Sequence, residues 1–207
     1  MDKIKMDKLK TYGDIYDEEF LKKFGEYRKA VEKAELEKEF EVDVKKIADL
    51  CEIKVIFEEL DVSGTCMNFH SAANDKTSEY STNSETREIR INKYEPLVRQ
   101  RFTIAHEIGH ILLGHEGISY RDPNYQKYND LIMRAKEANA NSFAAELLMP
   151  EILLRDVIYN SIKNLGFDSK SMFSDADIDY LAYYAANDMG VSITALKYRL
   201  KNLKIFR

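Results

Sequence analysis

The chain has 207 residues, 44% of them hydrophobic and 32% charged, enough for one generous packed domain or one domain with an appendage. A net charge of −5 and a pI near 5.5 argue against a chain whose main partner is nucleic acid. No apolar run approaches the ~18 residues that a bilayer crossing needs. The charged start MDKIKMDKLKTYGDIYDEEF does not read as a secretory leader, so the expected location is the cytoplasm, without a membrane partner.

In chain order, Phe20, Phe24, Tyr27 and Val31 recur at helical spacing amid mixed charges. They predict one amphipathic helix over 18–40, within an N-terminal helical arm of residues 1–41. VDVKKIADLC predicts a short helix that buries Val44, Ile47, Ala48 and Cys51. Cys51 and Cys66 form no CxxC and suit reduced core thiols better than a disulfide. Three strand-like runs follow: EIKVIFEEL, with Ile53, Val55 and Phe57 alternating; TCMNF; and EIRIN, with Ile89 and Ile91 on one face. The polar stretch between the last two, residues 70–87, is long for a connection inside a compact domain and reads as a mobile segment or a substrate-facing flap.

After Glu95 the pattern is helical. Pro96 suits a first turn, and the helix should run through His110 to about Gly114, burying Leu97, Ile104, Ala105, Ile108, Ile111 and Leu112. A loop with Gly117 and the DPN of 122–124 comes next, then a helix across AKEANANSFAAELLM. Pro150 opens another helix, stopped by Gly166, and two further helices flank Gly190, the second capped by Ser192.

Within RFTIAHEIGH, His106 and His110 stand one helical turn apart, so both imidazoles project from one face with Cβ atoms ~5–6 Å apart. That spacing lets them share one Zn²⁺ at ~2.0–2.1 Å. Glu107 stands beside that face without being placed as a ligand. Gly109 would let a neighbour approach closely beside the histidines. A catalytic zinc site takes three protein ligands and one open position. His115 lies ~500° of helix beyond His110 and would point away. Leu113 and Glu116 occupy the positions where the extended HExxHxxGxxH pattern needs glycine and histidine. Downstream, Glu137 and Glu146 fall on opposite faces of one helix. Glu137 heads a small-residue stripe (Ala140, Asn141, Ala144, Ala145, Leu148) suited to close helix packing, and Glu146 sides with Asn139 and Ser142 on a polar face. Glu137 is therefore the expected third ligand. Asn141, one turn on, is a candidate for holding a ligand in place. Tyr120, Tyr125, Tyr128, His70, Arg101 and His115 are all candidate donors to a developing oxyanion, and the sequence does not choose among them.

RFTIAHEIGH followed by E-x-x-AN-x-FAAELLMP resembles the ImmA/IrrE family of zinc metallo-endopeptidases, of gluzincin-like type, over roughly residues 42–150. The resemblance implies an α+β, zincin-like domain at 42–150 with a small mixed sheet over the HExxH helix. It implies one Zn²⁺ per chain held by His106, His110 and Glu137, with Glu107 as catalytic base. The run VS-x-x-AL-x-x-RL-x-x-L is similar to the helix-turn-helix-like segment that often follows, here 151–207. Its last seventeen residues hold five basic side chains and no acidic ones, and the seventeen before them hold four aspartates, so DNA docking is conceivable but not favoured. The implied substrate is a protein, commonly a helix-turn-helix repressor or antitoxin encoded nearby. The competing reading is a DNA-binding or toxin–antitoxin regulator whose zinc site is structural or vestigial.

Overall fold

The structure, a computed structural model, describes residues 10–69, 86–115, 123–168 and 172–206. It is α+β and separates into two compact units, one within Val44–Ala144 and the other drawn from Met1–Asp43 and Ala145–Arg207. No helix among the described residues is long and apolar enough to cross a membrane. The expected polar segment at 70–87 and the turn around Gly117 fall almost wholly outside the described residues.

The chain opens with α1 (Tyr12–Ile15), α2 (Glu18–Lys22), a 3-10 turn at Gly25–Tyr27, and α3 (Arg28–Lys33). The single helix expected over 18–40 is thus broken. Asp17 caps α2 through the Phe20 N–H at 2.7 Å, and Gly25 then takes φ +54°, a left-handed conformation that ends a helix. Phe20, Phe24 and Val31 are nonetheless buried, because the interrupted path still turns them inward. Tyr16 stacks on Phe20 with ring centroids 4.9 Å apart, and its hydroxyl donates to the Leu147 carbonyl at 2.6 Å.

In the other unit, α4 (Val44–Leu50) leads into β1 (Ile53–Glu58), β2 (Gly64–Phe69) and β3 (Thr86–Asn92). The sheet order is β1-β3-β2, with β1 parallel and β2 antiparallel to β3. This mixed sheet follows from the pattern: Ile89 and Ile91 on the central strand are fully buried, each worth about 1.5–3 kcal/mol against solvent exposure. The register sets Cys66 of β2 opposite Ile89. Helix α5 (Leu97–Leu112) packs on β2 and β3 and buries Ile104, Ala105 and Ile108. Leu97, expected inside, is 76% exposed at the first position of the helix. Helix α6, described over Pro123–Leu148, is already formed well ahead of Ala135, where the sequence pattern places its start.

Among the described residues that follow are three helices: α7 (Glu151–Asn164), α8 (Asp175–Asp188) and α9 (Ile193–Asn202). Ser192 caps α9 as the sequence predicts, accepting from the Ala195 N–H at 3.2 Å, and Leu196 and Leu200 are buried beneath it.

Candidate metal centre

Helix α5 presents His106 and His110 one turn apart, and the ring nitrogens Nε2 of the two imidazoles lie 3.0 Å from each other. The facing turn of α6 brings in Glu137, whose two carboxylate oxygens stand 3.3 Å from His106 Nε2 and 3.3 Å from His110 Nε2. Close approach of the helices depends on Gly109, where an added Cβ would meet the Phe143 ring of α6 at 3.0 Å. Ala140 and Ala144 are buried on the same small-residue face of α6.

The donor set fits a metal ion. Ligand atoms at ~2.0–2.1 Å from a tetrahedral zinc sit ~3.3–3.4 Å from one another. The three observed separations come close to that, and one donor atom from each residue falls within 4.8 Å of the others. The hydrogen bonding points the same way. Asn141 Oδ1 stands 3.0 Å from His106 Nδ1 and, as an acceptor, keeps the proton there, leaving the Nε2 lone pair to face the cluster. His110 Nδ1 meets His115 Nδ1 at 3.2 Å, where one ring donates and the other accepts. Burial, and next the neighbouring His106, lower the pKa of His110, so its imidazole is neutral near pH 7 and free to bind a cation. Two lone pairs and a carboxylate converging this closely repel one another unless a proton or a metal cation lies between them.

Glu107 is buried beside this group. Burial raises its pKa, opposed first by a hydrogen bond from the Cys66 side chain and then by His106. The Cys66 thiol is itself pushed up to about 12, by burial first and by Glu107 next, so it stays protonated and acts as a donor. A cleft of roughly 660 Å³ opens over these residues, walled by Gly64, Thr65 and Cys66 of β2 and by Phe102, Arg99 and Met133. Arg99 donates to Ser63 Oγ at 3.2 Å.

The structure therefore gathers His106, His110, Glu137, Glu107 and Asn141 at one place. Glu146 is not there: it lies in the other unit, 3.5 Å from Lys23 Nζ. Of the candidate oxyanion donors, His70 and Tyr120 fall outside the described residues, as do the side chains of Tyr125 and Tyr128. Arg99, rather than Arg101, lines the described part of the cleft. The contacts of Cys66 and His115 were not legible from spacing. Cys66 arrives through strand pairing, and His115 returns to His110 because α5 stops at Leu112 and Gly114 turns the chain at φ +64°.

A comparison with protein families matches residues 60–201, more than half of the chain, to the peptidase M78 family, described as an IrrE N-terminal-like domain. No curated protein matches the chain.

Proposed function

Because the chain belongs to the peptidase M78 family of IrrE N-terminal-like domains, we propose that it is a zinc-dependent endopeptidase with Glu107 as its catalytic base. The observation that carries this reading is a buried carboxylate outside the His106, His110 and Glu137 group, set one residue from His106 in an open cleft. A purely structural site needs the ligands alone. His106, His110 and Glu137 would hold one Zn²⁺ per chain, which when bound supplies acidification of a water and polarisation of the scissile carbonyl.

The chain's own groups do the rest. Glu107 takes a proton from the attacking water as its oxygen bonds to the carbonyl carbon. It then delivers that proton to the amide nitrogen as the C–N bond breaks, so no acyl-enzyme forms. The Cys66 thiol holds the carboxylate in place meanwhile. Asn141 and His115 fix the two imidazoles from behind. Strand β2 lies at the edge of the sheet and borders the cleft, so an extended substrate segment can pair along it.

The substrate we infer is a cytoplasmic helix-turn-helix repressor or antitoxin encoded beside this chain, consistent with the family resemblance. In the alternative, a DNA-binding or toxin–antitoxin regulator, the basic residues of α9 would face phosphates. Two of them are engaged elsewhere: Lys197 with Asp179 at 2.6 Å, and Arg199 with the Met149 carbonyl at 3.1 Å. The deciding experiment incubates the neighbouring repressor with wild-type protein and with Glu107→Gln, with zinc content measured for both. Cleavage by the wild type alone, at equal zinc stoichiometry, is expected. Normal cleavage by the variant would overturn the mechanism.

A further inference from the structure

The unit that does not contain the metal cluster carries a surface that the peptidase chemistry leaves unused. Helix α8 buries Leu181, Ala182, Ala185 and Ala186. Its opposite side is not the charged face that helix amphipathicity predicts. Tyr180, Tyr183 and Tyr184 stand there 49%, 56% and 38% exposed. They brace one another: Tyr180 and Tyr184 meet edge-on with centroids 4.9 Å apart and hydroxyls 3.1 Å apart, and Tyr183 meets Tyr184 at 5.5 Å. Rings held this way lose little freedom on binding, which is why clustered tyrosines serve as contact anchors.

The charges that α8 itself carries bear on the partner; the cation set against them among the described residues is Lys197 of α9, which pairs with Asp179. Asp175, Asp177, Asp179 and Asp188 are the ionisable side chains of α8 besides the tyrosines, and it has no Lys, Arg or His. Asp177 turns back onto Ser174, and Asp179 pairs with Lys197. Asp175 and Asp188 are exposed at the two ends of the helix. Phenol faces framed by carboxylates attract guanidinium and ammonium groups through cation–π and ionic contacts, and they repel phosphate.

We propose that this stripe of α8 is a docking surface for a Lys/Arg-rich helix of a protein partner. Given the endopeptidase reading above, on which this identification rests, the partner is the substrate, held by the basic helix with which it reads DNA. Substrate capture and bond cleavage then reside in different units of the chain.

The test uses the full chain and two fluorescein-labelled helical peptides of equal length, one with Lys and Arg along its polar face and the other with Glu at those positions. Binding is followed by anisotropy for the wild type, Tyr180→Ala/Tyr183→Ala/Tyr184→Ala, Asp175→Asn/Asp188→Asn and Glu107→Gln. Circular dichroism confirms that each variant folds, as expected for changes at exposed positions. The basic peptide should bind the wild type and Glu107→Gln equally and the acidic peptide neither. The tyrosine variant should weaken binding about tenfold or more. The aspartate variant should weaken it severalfold and flatten its salt dependence. Equal affinity in the wild type and the tyrosine variant, or no binding of the basic peptide, overturns the proposal. So does wild-type self-association that the tyrosine variant abolishes, which would assign the stripe to a second copy. The two readings fail separately. Tyrosine-sensitive docking by a chain that cleaves no repressor sinks the peptidase alone, and cleavage with an unchanged KM in the tyrosine variant sinks the docking surface alone.

Discussion

His106 Nδ1 and Asn141 Oδ1 stand 3.0 Å apart, joining the two helices that carry the candidate metal group through the far side of the His106 imidazole. The amide oxygen fixes both the tautomer and the tilt of the ring. Asn141→Ala should therefore lower zinc affinity by about 10–100-fold with little change in fold stability, because Asn141 is exposed. Asn141→Asp keeps the acceptor and should retain affinity. Competition against a chromogenic chelator reads both. Equal affinities for wild type and Asn141→Ala would show that the contact positions nothing.

Glu107 links activity to stability with opposite signs. On the proposed mechanism, Glu107→Gln should reduce kcat about 10²–10⁴-fold. Burial raises the folded-state pKa of Glu107, so the folded metal-free protein keeps this proton to higher pH than the unfolded chain does. The stabilising contribution is complete below the unfolded value of about 4.3 and is lost as pH rises through the folded value. Gln carries no charge to bury. Metal-free Glu107→Gln should therefore melt above the wild type at pH 7–8, and the difference should vanish near pH 4. A difference that stays constant with pH would remove the burial argument.

What was legible in the sequence divides along the range of the interactions. The His106–His110 pair, the burial of Ile104 and Ile108, and the Ser192 cap each depend on neighbours within two helical turns, where periodicity and capping chemistry are decisive. The choice of Glu137 over Glu146 follows from helical phase within α6; Glu137 meets the two imidazoles, and Glu146 meets Lys23. The N-terminal helices read as one in the sequence because mixed charges at helical spacing continue through Gly25, whereas the backbone takes a left-handed turn there. His115 looked remote only on the premise that α5 continued past it; Gly114 instead folds it back onto His110. Cys66 reaches Glu107 through strand pairing that spans more than twenty residues of chain, and such pairing has no local signature.

Gly109 sets how closely α5 and α6 approach. A Cβ there would lie 3.0 Å from the Phe143 ring, which is itself fully buried, so the neighbour must give by a few tenths of an ångström. Gly109→Ala should cost about 1–3 kcal/mol of stability through overpacking. It should also weaken zinc binding, since the strain falls between the histidines and Glu137. Adding Phe143→Leu makes room for the methyl group and should restore zinc affinity more fully than stability, because the smaller side chain leaves its own packing defect. Additive losses of affinity in the double variant would place the effect elsewhere.

Metal removal should reveal the repulsion built into the cluster. With both Nε2 atoms unprotonated, as zinc needs them, 3.0 Å apart beside a carboxylate, the metal-free protein holds like-polarity groups together until a proton or a cation enters between them. Free zinc at a thousand times Kd should add about 4 kcal/mol to unfolding stability and raise Tm, and chelator should reverse the gain. Glu137→Ala removes one ligand and part of the repulsion together. Its metal-free form should melt at or above the wild type, while the zinc-induced rise in Tm shrinks sharply. A full zinc response in Glu137→Ala would mean that the ion binds elsewhere, and the assignment of all three ligands would fall with it.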